Sequence, residues 1–191
     1  MRDLALLGLR LTLGGYLAAH GAQKLFGALD GPGLDKAGAG FEHLGLKPGK
    51  AFAALAGGSE FAGGVLTAVG AAHPVGPATV AGAMTVASLA HMDKGPLSQK
   101  GGYELPASYL AAALALAGTG PGRHSFDSLT GFRLPKGITR LTLLGATALT
   151  AYSAALVIKT KRAAAVAQAA PPATAPEAAI TTTEAVADRS A

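Results

Sequence analysis

Two charges stand inside apolar, helix-length stretches of this 191-residue chain: Arg10 within Leu4 to Ala19, and Glu60 near the middle of Ala51 to Gly70. A charge in hydrocarbon is expensive, so such residues face a bundle interior and mark ion pairs, proton relays or ligand sites. At ~1.5 Å per helical residue, Arg10 lies ~15 Å below His20 and Glu60 lies ~15 Å from either end of its stretch. Similar depth and opposite sign predict a buried Arg10–Glu60 ion pair. Gly57, Gly58, Gly63 and Gly64 flank the carboxylate and permit a close helix crossing. Such a pair has two compatible uses: it locks the first helix to the second, or it lines a cavity for a redox molecule or a proton.

A second set is His20, Lys24, His91 and Glu104, each at the end of an apolar segment. Imidazole titrates near neutrality, and ammonium and carboxylate groups hydrogen-bond strongly, so this set is suited to proton handling and to a polar ligand. No two histidines share a metal-binding helical spacing and there is no HExxH, so no metal site is expected. His73, His124 and His43 fall in turns or loops and receive no role.

The elements that must position these residues are five spanning candidates: Leu4 to Ala19, Ala51 to Gly70, Val75 to His91, Tyr103 to Gly118 and Leu141 to Ile158. A hydrocarbon core of ~30 Å needs ~20 helical residues, so several must borrow flanking residues. The fifth is uncharged and bracketed by Arg140 and Lys159. Gly21 to Lys50 reads as a long glycine-rich loop able to fold over one end of the bundle. Ala71 to Pro74 is a tight connection that makes spans two and three antiparallel neighbours. Gly120-Pro121-Gly122 reads as a helix stop, and Ser125 with Asp127 as makers of turn hydrogen bonds. The Ala, Pro and Thr-rich residues 163–191 are too poor in apolar side chains to order themselves.

Alternating the spans brings His20, Lys24, His91 and Glu104 to one face, together with the long loop. That face also carries ten of the lysines and arginines, tail included, against five on the other. The positive-inside rule then puts it in the cytoplasm, with the N-terminus outside and the C-terminus inside. Mean hydropathy is +0.36, diluted by the loop and the tail. The net charge of +5 is spread over loops beside apolar segments, so it is read as membrane flanking and not as a nucleic-acid surface. Arg10 breaks the apolar run and Asp3 offsets Arg2, so the first segment is read as a retained span and not a cleaved signal. Cysteine is absent, which excludes thiol redox, disulfides and an iron–sulfur cluster held by this chain alone. The expected fold is therefore all-α: an integral membrane helical bundle with a four-helix core (1–130), a fifth transmembrane helix (131–162) and a disordered tail (163–191).

The ordered set Arg10, His20-Gly21-x-x-Lys24-Leu25, Glu60-x-x-Gly63-Gly64, His91, Gly102-x-Glu104 and Gly120-Pro121-Gly122-x-x-Ser125-x-Asp127 resembles the DoxX family over about residues 4 to 130. The resemblance implies a small multi-pass protein of the bacterial inner membrane with a four-helix core, similar to the small subunit of thiosulfate:quinone oxidoreductase. It implies a redox-associated subunit of a membrane oxidoreductase complex, facing a lipophilic quinone or partnering a soluble oxidoreductase, and no defined reaction. His20, Lys24, His91 and Glu104 are then the residues to hydrogen-bond or protonate a quinone headgroup. The alternative is a non-catalytic scaffold or small permeation protein whose charges serve packing or ion passage. The fifth span and the tail depart from the four-helix pattern.

Overall fold

The computed structural model describes residues 1–169, and its regular elements are helices: α1 (Arg2–Phe26), α2 (Gly33–His43), α3 (Gly49–Val69), α4 (Val75–Ala90), α5 (Glu104–Thr119), α6 (Phe126–Thr130) and α7 (Lys136–Ala169). Helices α3 and α7 are each long and apolar enough to cross a bilayer, and α4 is a shorter apolar helix. Helices α4 and α5 have 16 residues each, ~24 Å at ~1.5 Å per residue. Each is therefore shorter than a hydrocarbon core of ~30 Å.

Helices α1 and α3 lie against one another through glycine. A Cβ placed on Gly14 would sit 2.5 Å from the Gly64 carbonyl oxygen and the Ala68 amide nitrogen, and one on Gly21 would collide with the Gly57 carbonyl and the Phe61 amide. Only hydrogen side chains allow backbones this close, the usual device where lipid offers no hydrophobic drive between helices. The adjoining edge of the same buried stripe of α1 contributes Leu6, Leu13 and Leu17 to a cluster with Val80, Ala81 and Met84 of α4 and Ala113 and Leu116 of α5. Helices α1, α3, α4 and α5 thus make the expected four-helix core.

Helix α7 packs on the outside of α4, where Gly82 leaves room for the Thr150 hydroxyl. Tyr152 stacks on Phe52 of α3 at a centroid distance of 6.3 Å. Near its far end, Lys161 pairs with Asp93 of the α4–α5 connector, and this hydrogen bond holds the Asp93 carboxyl below its ordinary range. The outer side of α7 exposes Leu141, Leu144, Tyr152 and Ile158, as a lipid-facing helix does.

Three boundaries differ from the sequence reading. The segment Gly21 to Lys50 is not an open loop, because α2 forms within it. Gly38 of α2 meets the Lys50 backbone, and Glu42 accepts a hydrogen bond from the Gly49 amide at 3.1 Å, so α2 docks on the start of α3. Helix α1 continues to Phe26, seven residues past Ala19, and stops at Gly27, whose φ of 68° suits glycine. Helix α7 begins at Lys136 and runs to Ala169, so residues 163–169 of the expected tail are helical. That stretch is five alanines with Val166 and Gln168, and alanine extends an existing helix at the least cost of any residue. Residues 170–191, the rest of that expectation, lie outside the described residues.

Candidate functional site

The register of α1 against α3 decides where each charge goes. Gly14 meets Gly64 and Ala68, Gly21 meets Gly57 and Phe61, and the Lys24 Cβ faces Gly57. This register sets Lys24 beside Glu60, and their side chains form an ion pair at 2.5 Å. The Glu60 side chain is 7% exposed and that of Lys24 26%.

Arg10 is consequently not the partner of Glu60. It sits level with Gly70, ten residues further along α3, which is ~15 Å of helix. The depth estimate fails because α1 extends to Phe26, so the ends of the first two spans are not level. Arg10 is 3% exposed and donates from Nη1 to the Pro121 carbonyl at 2.7 Å and from Nη2 to the His124 carbonyl at 2.6 Å. Its Nε is buried without a partner. Gly70, at φ 68°, gives the guanidinium its space, which a Cβ would occupy.

The segment Gly120 to Asp127 is the seal at this end. Asp127 accepts from the backbone amides of Ala72 at 2.9 Å and His73 at 2.8 Å, while the buried Ser125 hydroxyl donates to the Gly122 carbonyl and accepts from the Ser128 amide. Asp127 thus reaches across to the α3–α4 connection and makes a tertiary contact, whereas the Ser125 bonds are the local turn and cap bonds expected of that motif. Arg10 ties α1 to it through carbonyl oxygens, so Arg10 anchors one end of the bundle while Lys24–Glu60 marks the interior near the other.

Lys24 and Glu60 line a cavity of about 240 Å³ between α3, α4 and α7, with the α2–α3 connector beside it. Its walls are largely apolar: Phe41, Leu44 and Leu46 near the connector, Phe52 and Leu55 from α3, Val86 and Ala87 from α4, and Ala146 and Leu149 from α7. Ser59, Thr79, Thr150 and Ser153 add hydroxyls. His91 also lines it, and its Nδ1 lies 2.7 Å from the Gly101 carbonyl. A carbonyl only accepts, so Nδ1 carries the proton there and, in the neutral ring, Nε2 keeps the lone pair.

The four residues expected at one mouth therefore divide. Lys24 and His91 line the cavity, joined by Glu60. His20 does not: its Nδ1 is 3.2 Å from Gln23 Oε1 and its ring lies 6.5 Å from that of Tyr109, toward α5. Glu104 is exposed and accepts from the Ser98 amide and hydroxyl, bracing the α4–α5 connector. The α7 hydroxyls were not legible beforehand, because a uniformly apolar span does not announce which neighbour it packs against. Ser59, adjacent to Glu60, carried a signal in its position alone.

These features define an all-α membrane bundle with a buried ion pair beside a mainly apolar cavity. Residues 5–92 match the family model DoxX, which supports a DoxX-family assignment for this part of the chain. No curated protein and no solved structure matches it. The matched segment covers α1 from its fourth residue through α4, and with them Lys24, Glu60 and His91; α5, the seal at Gly120 to Asp127 and the α7 wall lie beyond it.

Proposed function

We propose that the protein is a redox-associated subunit of the bacterial plasma membrane whose cavity receives a quinone headgroup. The observation that carries this reading is the pairing of a largely apolar cavity, suited to a lipophilic ring and chain, with Lys24, Glu60 and His91 along its wall. A quinone supplies two-electron chemistry coupled to proton uptake. Lys24 is suited to donate to a carbonyl oxygen, while the Glu60 carboxylate and His91 imidazole are suited to hold a proton next to it. The cysteine-free chain holds no thiol or iron–sulfur cluster of its own, which fits a subunit that exchanges electrons with a soluble oxidoreductase partner.

A water-insoluble quinone can be replaced in the test by short-chain benzoquinone and naphthoquinone analogues added to the detergent-purified protein. A ligand bound only to the folded state at ~100 times its dissociation constant adds ~2.7 kcal/mol. Melting is expected to shift upward accordingly, with the shift reduced in Lys24→Met and His91→Ala and retained in His20→Ala. Equal shifts in all four proteins would remove Lys24 and His91 from the site. No shift with either analogue would favour the non-catalytic scaffold, for which the specific support is that Lys24–Glu60 already ties α1 to α3.

The orientation follows from charge. The end that carries α2, the α4–α5 connector and the C-terminal part of α7 is proposed to face the cytoplasm, with the N-terminus outside, because among the described residues it holds nine Lys and Arg against five. A reporter fused after residue 191 should be active only in the cytoplasm; periplasmic activity would invert the topology.

A further inference from the structure

At the opposite end from the ion pair, a second cavity of about 470 Å³ opens between the α6 turn and the start of α7. Arg133, Lys136 and Arg140 line it. Lys136 and Arg140 are four residues apart on α7 and so share one face, and Arg133 precedes them in the connector. Asp127 is the acid in its wall, and both its carboxylate oxygens are already taken by the amides of Ala72 and His73. Among the described residues, none of the three cations is in an ion pair. Three like charges around one cleft, with its carboxylate engaged elsewhere, favour an anionic occupant.

The surroundings say which anion. Arg140 immediately precedes the apolar run of α7, so the cleft sits at the depth where headgroups meet hydrocarbon. Apolar side chains border the cations within the cleft itself: Phe132, 45% exposed, and Leu134 of the connector. A free anion in water has no use for that border, whereas a phospholipid lays its chains along it. Guanidinium groups match phosphate oxygens in a bidentate fork, and basic pockets beside transmembrane helices suit anionic headgroups. We propose that this cleft is a binding site for the phosphate of an anionic phospholipid, with Arg133, Lys136 and Arg140 as its ligands and the acyl chains leaving past Phe132 and Leu134. The site is independent of the quinone reading and lies at the other end of the bundle.

Native mass spectrometry of the full chain, exchanged from detergent with phosphatidylglycerol or phosphatidylcholine, tests it. Phosphatidylglycerol should be retained in preference to phosphatidylcholine. A membrane-surface cation is worth roughly a fivefold change in affinity, so Arg133→Gln/Lys136→Gln/Arg140→Gln should weaken retention on the order of a hundredfold, and Arg140→Gln alone about fivefold. The cations are exposed, so the unliganded melting temperature should be unchanged; if the triple variant does not fold, the single variant carries the test. Lys159→Gln/Arg162→Gln, at the other end of α7, should bind as wild type. Equal retention of the two lipids, or retention insensitive to the cleft variants, would overturn the site. If inorganic phosphate is itself retained, competes with phosphatidylglycerol and is lost in the cleft variants, the cleft is a free-anion site and the lipid assignment falls.

Discussion

Lys24→Met is expected to destabilise the bundle more than the double variant Lys24→Met/Glu60→Leu. Removing Lys24 leaves the Glu60 carboxylate, 7% exposed, without its counter-charge in the interior of a membrane protein. Breaking one partner of a buried pair costs ~3 to 5 kcal/mol, whereas replacing both by apolar groups of similar size is often neutral. The two single variants should also be unequal. Lys24 is 26% exposed and can turn its ammonium toward water, so Glu60→Leu should lose less than Lys24→Met. Arg10→Leu supplies the contrast: about 15 Å of helix separates Arg10 from Glu60, and sites beyond ~7 to 10 Å with no shared partner usually add within ~0.5 kcal/mol. Detergent melting of these variants should therefore give strong coupling for Lys24 with Glu60 and near additivity for Arg10 with Glu60. Additive losses in the first cycle would sink the pair, and strong coupling in the second would reinstate Arg10 as a partner of Glu60.

Gly21→Leu is expected to be as damaging, for a reason that involves no charge. A Cβ at Gly21 runs into the backbone of Gly57 and Phe61, and backbone cannot rotate out of the way as a side chain can. The relief available is to push α1 away from α3, which also draws Lys24 from Glu60. Overpacking of a well-filled interior typically costs ~1 to 3 kcal/mol and occasionally more, and a clash against backbone belongs at the upper end. Gly15→Leu is the control, since nothing lies within 4 Å of a Cβ there. If the two variants melt together, the close crossing is not what holds α1 to α3. A selective loss in Gly21→Leu, accompanied by loss of the quinone-analogue shift, would tie the crossing to the cavity.

Much of the architecture follows from composition along the chain. Apolar runs of helical length, the tight Ala71 to Pro74 connection and the stop at Gly120-Pro121-Gly122 suffice to derive alternating helices and the two ends to which their polar residues go. The glycines around Glu60 identify a helix crossing, because small residues have that use in lipid, and Ser125 behaves as a turn residue because its short side chain reaches nearby backbone, whereas Asp127 bonds the distant amides of Ala72 and His73. What sequence alone does not determine is register. Hydropathy reports which residues avoid water and is nearly indifferent to sliding one helix along another, so depths counted from assumed span ends paired Glu60 with Arg10. The tertiary structure settles the register through the meshing of Gly14 with Gly64 and Gly21 with Gly57, contacts that fit at one axial offset and bring Lys24 to Glu60. The same limit applies to α7, whose apolar sequence suits any lipid-facing position. Its place beside α4 depends on Gly82 yielding space to Thr150 and on the Asp93–Lys161 pair, which are matches between distant residues that no single segment contains.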